Sequence, residues 1–320
     1  MSKRATSASA TGFRSPKLSV GERIRRDLVT NRYLYLLLLP AIAYYIIFHY
    51  LPMWGIQIAF KNYYVTKGIM GSKWAGLTHF KNFFTSFYFP RVVGNTVLLS
   101  GLNILIGFPV PIILAILINE VKNVPFKKTV QTITYLPHFI SLVVVCGLVI
   151  SFLQNNGLIN DIIVALGGER KLFLQDPGSF RGIYVISDIW QQAGWGSIIY
   201  LSAISAIPQE QYEALRVDGG NLWHEIIHVT IPGITNTMII LLILRVGRLM
   251  SLGYEKVLLL YNESTYSTAD IISTYVYRRG ILNAEYSFST AVGLFNSVIN
   301  MVLLLATNFL SNKFGDRGLF

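Results

Sequence analysis

Residues 213–220 read Glu-Ala-Leu-Arg-Val-Asp-Gly-Gly, residues 221–228 follow as Asn-Leu-Trp-His-Glu-Ile-Ile-His, and residues 229–232 close the stretch with Val-Thr-Ile-Pro. Its neighbours decide what it is. Apolar runs at 182–206 and 234–252 flank it, each long enough to cross the hydrocarbon core of a bilayer as a helix. A polar, acidic segment held between two crossing helices is a loop projecting from one face of a membrane.

Composition agrees. Hydrophobic residues fill 52% of the 320 positions and charged ones 13%, about half the charged share of a soluble domain. Six apolar runs, at 33–53, 95–118, 135–153, 182–206, 234–252 and 290–311, read as spans. The expected fold class is an all-α membrane protein with six transmembrane helices. The single cysteine, Cys146, falls within the third run, which leaves no intrachain disulfide and no Cys-based metal site. It reads as a small core residue.

The net charge is +11. In a membrane protein such an excess collects in cytoplasmic flanks facing anionic lipid, so no nucleic-acid partner is called for. Residues 1–32 carry eight Lys/Arg, including Arg23, Arg25, Arg26 and Arg32 just before the first run. This places a basic N-terminal tail in the cytoplasm and, after six crossings, a C-terminal tail (312–320) on the same side. The long charged leader and the lack of a small-x-small site in His49-Tyr50-Leu51-Pro52-Met53 favour an uncleaved first helix. The first 20 residues, rich in Ser, Ala, Lys and Arg, read as a mobile tail. A transmembrane domain at 33–311 then has inner loops at 119–134 and 207–233 and outer loops at 54–94, 154–181 and 253–289.

The inner loops differ in charge. The first has Lys122, Lys127 and Lys128; the second has only Arg216 against Glu210, Glu213, Asp218 and Glu225. Amphipathic segments lying on lipid are rich in Lys/Arg, so an acidic loop points to a protein partner. Pro208-Gln209-Glu210 suits a helix start, Gly219-Gly220 breaks the chain, and Asn221 can cap a second helix that ends before Pro232. Two short helices, apolar on one face and charged on the other, form a knob suited to a groove on a soluble partner.

Enzymatic readings find little support. The sequence lacks the Gly-rich loop ending in Lys-Ser/Thr that cradles nucleotide phosphates. His224 and His228 share a helix face, but two ligands are too few for zinc.

Glu213, Ala214, Gly219 and Pro232, with Val229 and Ile231 as mild variants, resemble the "EAA" loop of binding-protein-dependent importer permeases, the membrane subunits of ABC importers. That pattern is Glu-Ala-Ala, three residues, Gly, nine residues, then Ile-x-Leu-Pro. Leu215 and Gly220 depart from it without altering the spacing. The resemblance implies an importer-permease bundle whose loop is the coupling helix that docks in a cleft of the ATPase subunit, through Glu213, Ala214, Asp218, Gly219, Trp223 and Pro232. It also implies a second homologous permease, two ATPase subunits that bind ATP and Mg, and an extracytoplasmic solute-binding protein at a bacterial cytoplasmic membrane. Leu39-Pro40-Ala41, Tyr50-Leu51-Pro52-Met53, the stretch from Ala269 to Tyr277, and Ala291-Val292-Gly293-Leu294-Phe295-Asn296 resemble the carbohydrate-importer branch, which includes permeases for oligosaccharides and uronate-containing fragments.

Intramembrane charge suggests what the substrate meets. Arg245 and Arg248 lie three apart in the fifth run, about 16 and 21 Å from its inner edge at the helical rise. Asp188, Gln191 and Trp195, with Gln192 beside them, follow helical spacing in the fourth. Charges at that depth pair internally or face a watery cavity. Either Asp188 and Arg248 form an ion pair that ties helices together, or these groups meet a polar solute, and the two readings can coexist. A free guanidinium beside a path favours an anionic sugar, an acidic oligosaccharide such as an alginate fragment. Asn103, Asn296 and Asn300 could add hydrogen bonds or act as interhelical glue. The Tyr- and Phe-rich outer loops fit either an interfacial aromatic belt or a docking surface for the binding protein. The chief alternatives are import of neutral oligosaccharides, or a secondary transporter driven by an ion gradient, for which Asp188 is the candidate acid.

Overall fold

The computed structural model describes residues 19–315. The remainder of the predicted mobile N-terminal tail and residues 316–320 of the C-terminal tail lie outside the described residues. The chain divides into two units, residues 1–55 and 56–320.

In the first unit, helix Val20–Thr30 is followed by Arg32–Tyr45. Asp27 organises the junction, accepting hydrogen bonds from the Asn31 amide at 2.6 Å and from the Tyr35 hydroxyl. The helix continues through one wide π turn, Ile46–Tyr50, immediately before Leu51-Pro52. Proline offers no N–H and crowds the carbonyl four residues back, and a wider turn relieves both. Large apolar side chains from Tyr33 to Trp54 are exposed, so lipid or another chain must be their solvent.

In the second unit, residues 95–311 supply the remaining predicted spans. Among the described residues five helices are long and apolar enough to cross a membrane: Arg32–Phe60, Phe89–Glu120, Leu142–Ala165, Leu222–Val246 and Tyr286–Lys313. The other predicted crossing is the 29-residue helix Pro177–Ser205, whose apolar character Arg181, Asp188, Gln191 and Gln192 dilute.

Two predicted spans end elsewhere than the hydropathy implied. The run at 135–153 is not continuous: helix Val124–Phe139 stops, Ile140 is extended, and Ser141 caps Leu142–Leu153 by accepting from the Val144 N–H. Pro137 weakens the first segment and the serine starts the second. The run at 234–252 is helical only to Val246 and then turns. Gly247 permits this bend against helix Tyr286–Gly315, because a Cβ there would lie 2.5 Å from Leu304. Arg248 therefore lies in the turn, and the expected shared helix face with Arg245 does not exist.

The Pro177–Ser205 helix is the central post, packed along Pro109–Glu120 and Val124–Phe139. Gly194 makes the closest approach, where a Cβ would stand 2.0 Å from the Thr134 carbonyl. Small residues at such crossings let backbones meet where lipid offers no hydrophobic drive. Cys146 is buried with Leu99, Phe180, Tyr184 and Val257.

The region expected to be the last outer loop, 253–289, is largely folded into the bundle. Short helices Tyr254–Leu260 and Ile272–Tyr277 bury Val257, Leu260, Ile272 and Tyr275. Tyr275 and Phe83 are thus core residues, and neither the belt nor the docking reading describes them. Asp270 anchors the region, held by Arg278 at 2.5 Å and by the Thr274 hydroxyl at 2.8 Å. A two-residue hairpin, Lys61–Asn62 against Lys73–Trp74, is the sheet among the described residues.

Candidate functional site: knob and cavity

The knob forms as two helices about a glycine turn. Helix Gln209–Val217 starts after Pro208. It ends where the Gly220 N–H bonds the Leu215 carbonyl at 2.8 Å and Gly219 takes φ 81°, a conformation that L side chains resist. Asn221 then accepts from the His224 N–H, while the His224 ring accepts from the Asn221 N–H. Histidine here fills the place usually held by Glu or Gln in a capping box. Arg216 spans both helices, donating to Glu225 from Nε at 2.7 Å and from Nη2 at 2.9 Å. That hydrogen-bonded carboxylate holds the Arg216 guanidinium above its usual range. The lone base of the acidic loop is therefore a brace. The Tyr212 hydroxyl meets Thr230 at 3.0 Å in the buried seam.

Glu213, Ala214, Asp218, Gly219 and Trp223 are all exposed, with Trp223 at 71%. Pro232 does not follow the second helix as predicted. Helix Leu222–Glu225 runs through a π turn, Ile226–Thr230, directly into Ile231–Val246. The π turn accommodates Pro232 as its counterpart accommodates Pro52. The second knob helix and the next crossing are one rod, which continues as far as Arg245 and Val246.

That rod leads to a cavity of about 730 Å³, with Asp188, Gln191, Gln192, Arg245, Arg248, Glu255 and Lys256 in its wall. The expected Asp188–Arg248 pair is not formed. Asp188 instead accepts from Lys256 Nζ at 3.3 Å and from the Asn103 amide at 2.8 Å. Lys256 is 4% exposed and Asp188 20%, and a desolvated ammonium holds the nearest carboxylate strongly. The Asn103 side-chain carbonyl accepts from Arg245, whose Nη2 also reaches the Asn103 backbone oxygen at 3.3 Å. Asn103 is thus a neutral bridge between acid and arginine. Among the described residues neither Arg245 nor Arg248 has a carboxylate within ion-pair distance.

Gln191 is buried with its side-chain carbonyl unpartnered. Trp195 lies beside the main cavity in an adjoining space of about 170 Å³ shared with Asp188, Gln192 and Arg245. Its ring stacks on His138 at 4.5 Å, and His138 bonds Gln192 at 3.0 Å. Two predicted residues are elsewhere. Asn300 accepts from the Met250 N–H and donates to Ser251, fastening the turn that carries Arg248. Asn296 lines a separate cleft. Lys256 escaped the sequence reading because it follows the apolar run; its signal was the Glu255-Lys256 pair opening an otherwise apolar Tyr254–Leu260 helix.

Known proteins share this architecture. The family described as "Binding-protein-dependent transport system inner membrane component" matches residues 93–316. Protein LplB of Bacillus subtilis (strain 168) is 44% identical over 309 residues, 96% of this chain and 97% of its own length. The polygalacturonan/rhamnogalacturonan transport system permease protein YteP of the same organism is 44% identical over 300 residues, 93% and 94% of the two chains. Among solved structures, a chain of a bacterial alginate ABC transporter in complex with an alginate pentasaccharide-bound periplasmic protein aligns with a TM-score of 0.86 at 44% identity. That alignment covers 93% of this chain and all of the other.

Proposed function

The chain belongs to the family of binding-protein-dependent transport system inner membrane components, and from that premise we propose that it is the permease subunit of an ATP-driven importer for acidic, uronate-type oligosaccharides. The observation that carries the substrate class is the net positive wall of the cavity: Arg245, Arg248 and Lys256 stand against Asp188 and Glu255, and among the described residues neither arginine has a carboxylate within ion-pair distance. Guanidinium forks recognise carboxylates in two-pronged geometry. The unpartnered Gln191 carbonyl and Gln192 would accept sugar hydroxyls, and Trp195 with His138 offers a flat aromatic face for a ring. Relatives that handle alginate and polygalacturonan support the same class.

In this reading the solute-binding protein delivers the sugar from outside, and a second permease completes the path. Two ATPase subunits that bind ATP and Mg receive Glu213, Ala214, Asp218, Gly219 and Trp223 in a cleft. Closure of the ATPase pair displaces the knob, and the continuous Leu222–Val246 rod transmits that movement to the cavity. Both termini lie in the cytoplasm. An ion-gradient mechanism is less well supported, because the candidate acid Asp188 already holds two donors. The test is ATP hydrolysis by the purified complex as the binding protein delivers acidic or neutral oligosaccharides. Stimulation by acidic sugars alone, lost in Glu213→Ala, is expected. Stimulation by neutral sugars alone would remove the uronate assignment, and the lack of any associated ATPase would remove the importer.

A further inference from the structure

The charged cavity is one of three spaces joined wall to wall. On the side of the bundle that carries the hairpin, an outer pocket of about 400 Å³ is walled by Tyr63, Tyr64, His79, Arg279, Glu285 and Tyr286. Between it and the charged cavity lies a cleft of about 470 Å³, which shares Tyr286 with the outer pocket and Tyr254 with the charged cavity. The end spaces carry ionic groups, whereas the middle cleft has no charged side chain in its wall. It presents the exposed rings of Tyr254 and Tyr286, the Tyr277 ring 6.1 Å from Tyr254, and the polar groups of Ser273, Thr290 and Asn296. Asn296 Oδ1 and Ser289 Oγ are buried at this wall without hydrogen-bond partners, an arrangement that costs free energy until a donor arrives. Gly293 faces open space, since a Cβ there would meet nothing within 4 Å.

We infer that this middle cleft is an uncharged saccharide subsite, which takes an internal ring of a longer chain while a neighbouring unit occupies the charged cavity. Tyrosine faces with neutral hydrogen-bonding groups read the apolar face and hydroxyls of a pyranose, not its carboxylate. The two shared tyrosines form thresholds between the three spaces, so a chain of several units can lie across them and a monosaccharide cannot. The subsite therefore sets chain-length preference, whereas Arg245 and Arg248 set charge preference. It rests on the proposed function only in taking a saccharide as the solute.

The experiment measures binding-protein-dependent uptake of monomer, dimer and pentamer by the reconstituted complex, in acidic and neutral series, for wild type, Gly293→Leu, Tyr286→Ala and Arg245→Gln. Gly293→Leu projects a side chain toward the cleft from a Cβ position with nothing within 4 Å, and Tyr286→Ala removes a threshold ring. Each should lower kcat/KM for the pentamer about tenfold, the loss of one good ring contact, and leave the monomer and unstimulated ATP hydrolysis unchanged. Co-purification of the partner subunits checks assembly. Equal effects on all lengths, or none, would overturn the subsite, and so would loss of the second permease from both cleft variants, which would make the cleft a subunit contact. Arg245→Gln separates the two proposals. If it leaves the ratio of acidic to neutral uptake unchanged, the charge assignment falls while the length effect of Gly293→Leu can still stand.

Discussion

Asp188 and Asp270 are both carboxylates removed from bulk water, and they are held in opposite ways. Asp270, 2% exposed, is closed on every side: Arg278 grips both oxygens, Thr274 donates to one of them, and Arg278 is itself covered by the Tyr266 ring at 4.8 Å. Burial works to lower the Arg278 pKa, yet the hydrogen bond and charge of Asp270 outweigh it and hold the guanidinium above its usual range. Asp188 has two donors on the wall of a cavity, which also carries Arg245, Arg248 and one further acid, Glu255, with neither arginine in an ion pair among the described residues. The first cluster is complete and fastens the 253–289 region; the second has cationic capacity left over for a solute. A buried ion pair is therefore a sign of function only when the surrounding charge does not close.

The comparison can be tested by removing one cation at a time. The largest loss of stability is expected for Arg278→Gln, which strands Asp270 in the core and should cost about 3–5 kcal/mol. It would be seen as a collapse of the thermal transition or of folded yield in detergent. A transition within a degree or two of wild type would mean that Asp270 is not the closed site described. Lys256→Met should cost less, about 1–3 kcal/mol, because the cavity lets water reach Asp188 once the ammonium is gone. Were it to equal Arg278→Gln, the distinction between open and closed clusters would fail. Smallest of all, Arg216→Gln breaks the Arg216–Glu225 pair, in which Glu225 is largely covered but Arg216 is more than half exposed, and a pair open to water on one side contributes little. Its melting curve should overlay that of wild type, and any effect should appear in coupled ATP hydrolysis through a loosened knob.

Much of this was legible in the sequence. The glycine turn at 219–220, the Asn221 cap and the exposed Glu213-Ala214 face follow from local rules, because caps and turns depend on residues a few positions apart. Gln191, Gln192, Arg245 and Arg248 could be placed on the cavity because polar groups inside apolar runs are few. The misread features depended on contacts distant in the chain. Lys256 reached Asp188 from a segment that hydropathy had left outside the membrane, and Asn103 intervened where a direct ion pair was expected. Arg248 left the helix because Gly247 packs against Leu304. Of the two readings open for Asn300, the structure shows the interhelical one, with bonds to Met250 and Ser251. Pro232 read as a stop signal, whereas a π turn carries the helix past it.

The central claim is that Arg245 and Arg248 are the open charges of the path. The most direct measurement is the ratio of acidic to neutral oligosaccharide uptake by the reconstituted complex, for wild type against Arg245→Gln and Arg248→Gln, with thermal stability followed in parallel. The account predicts that the ratio falls about 10- to 100-fold, the worth of one charge-assisted contact, while stability and neutral uptake hold. An unchanged ratio in stably folded variants would contradict it.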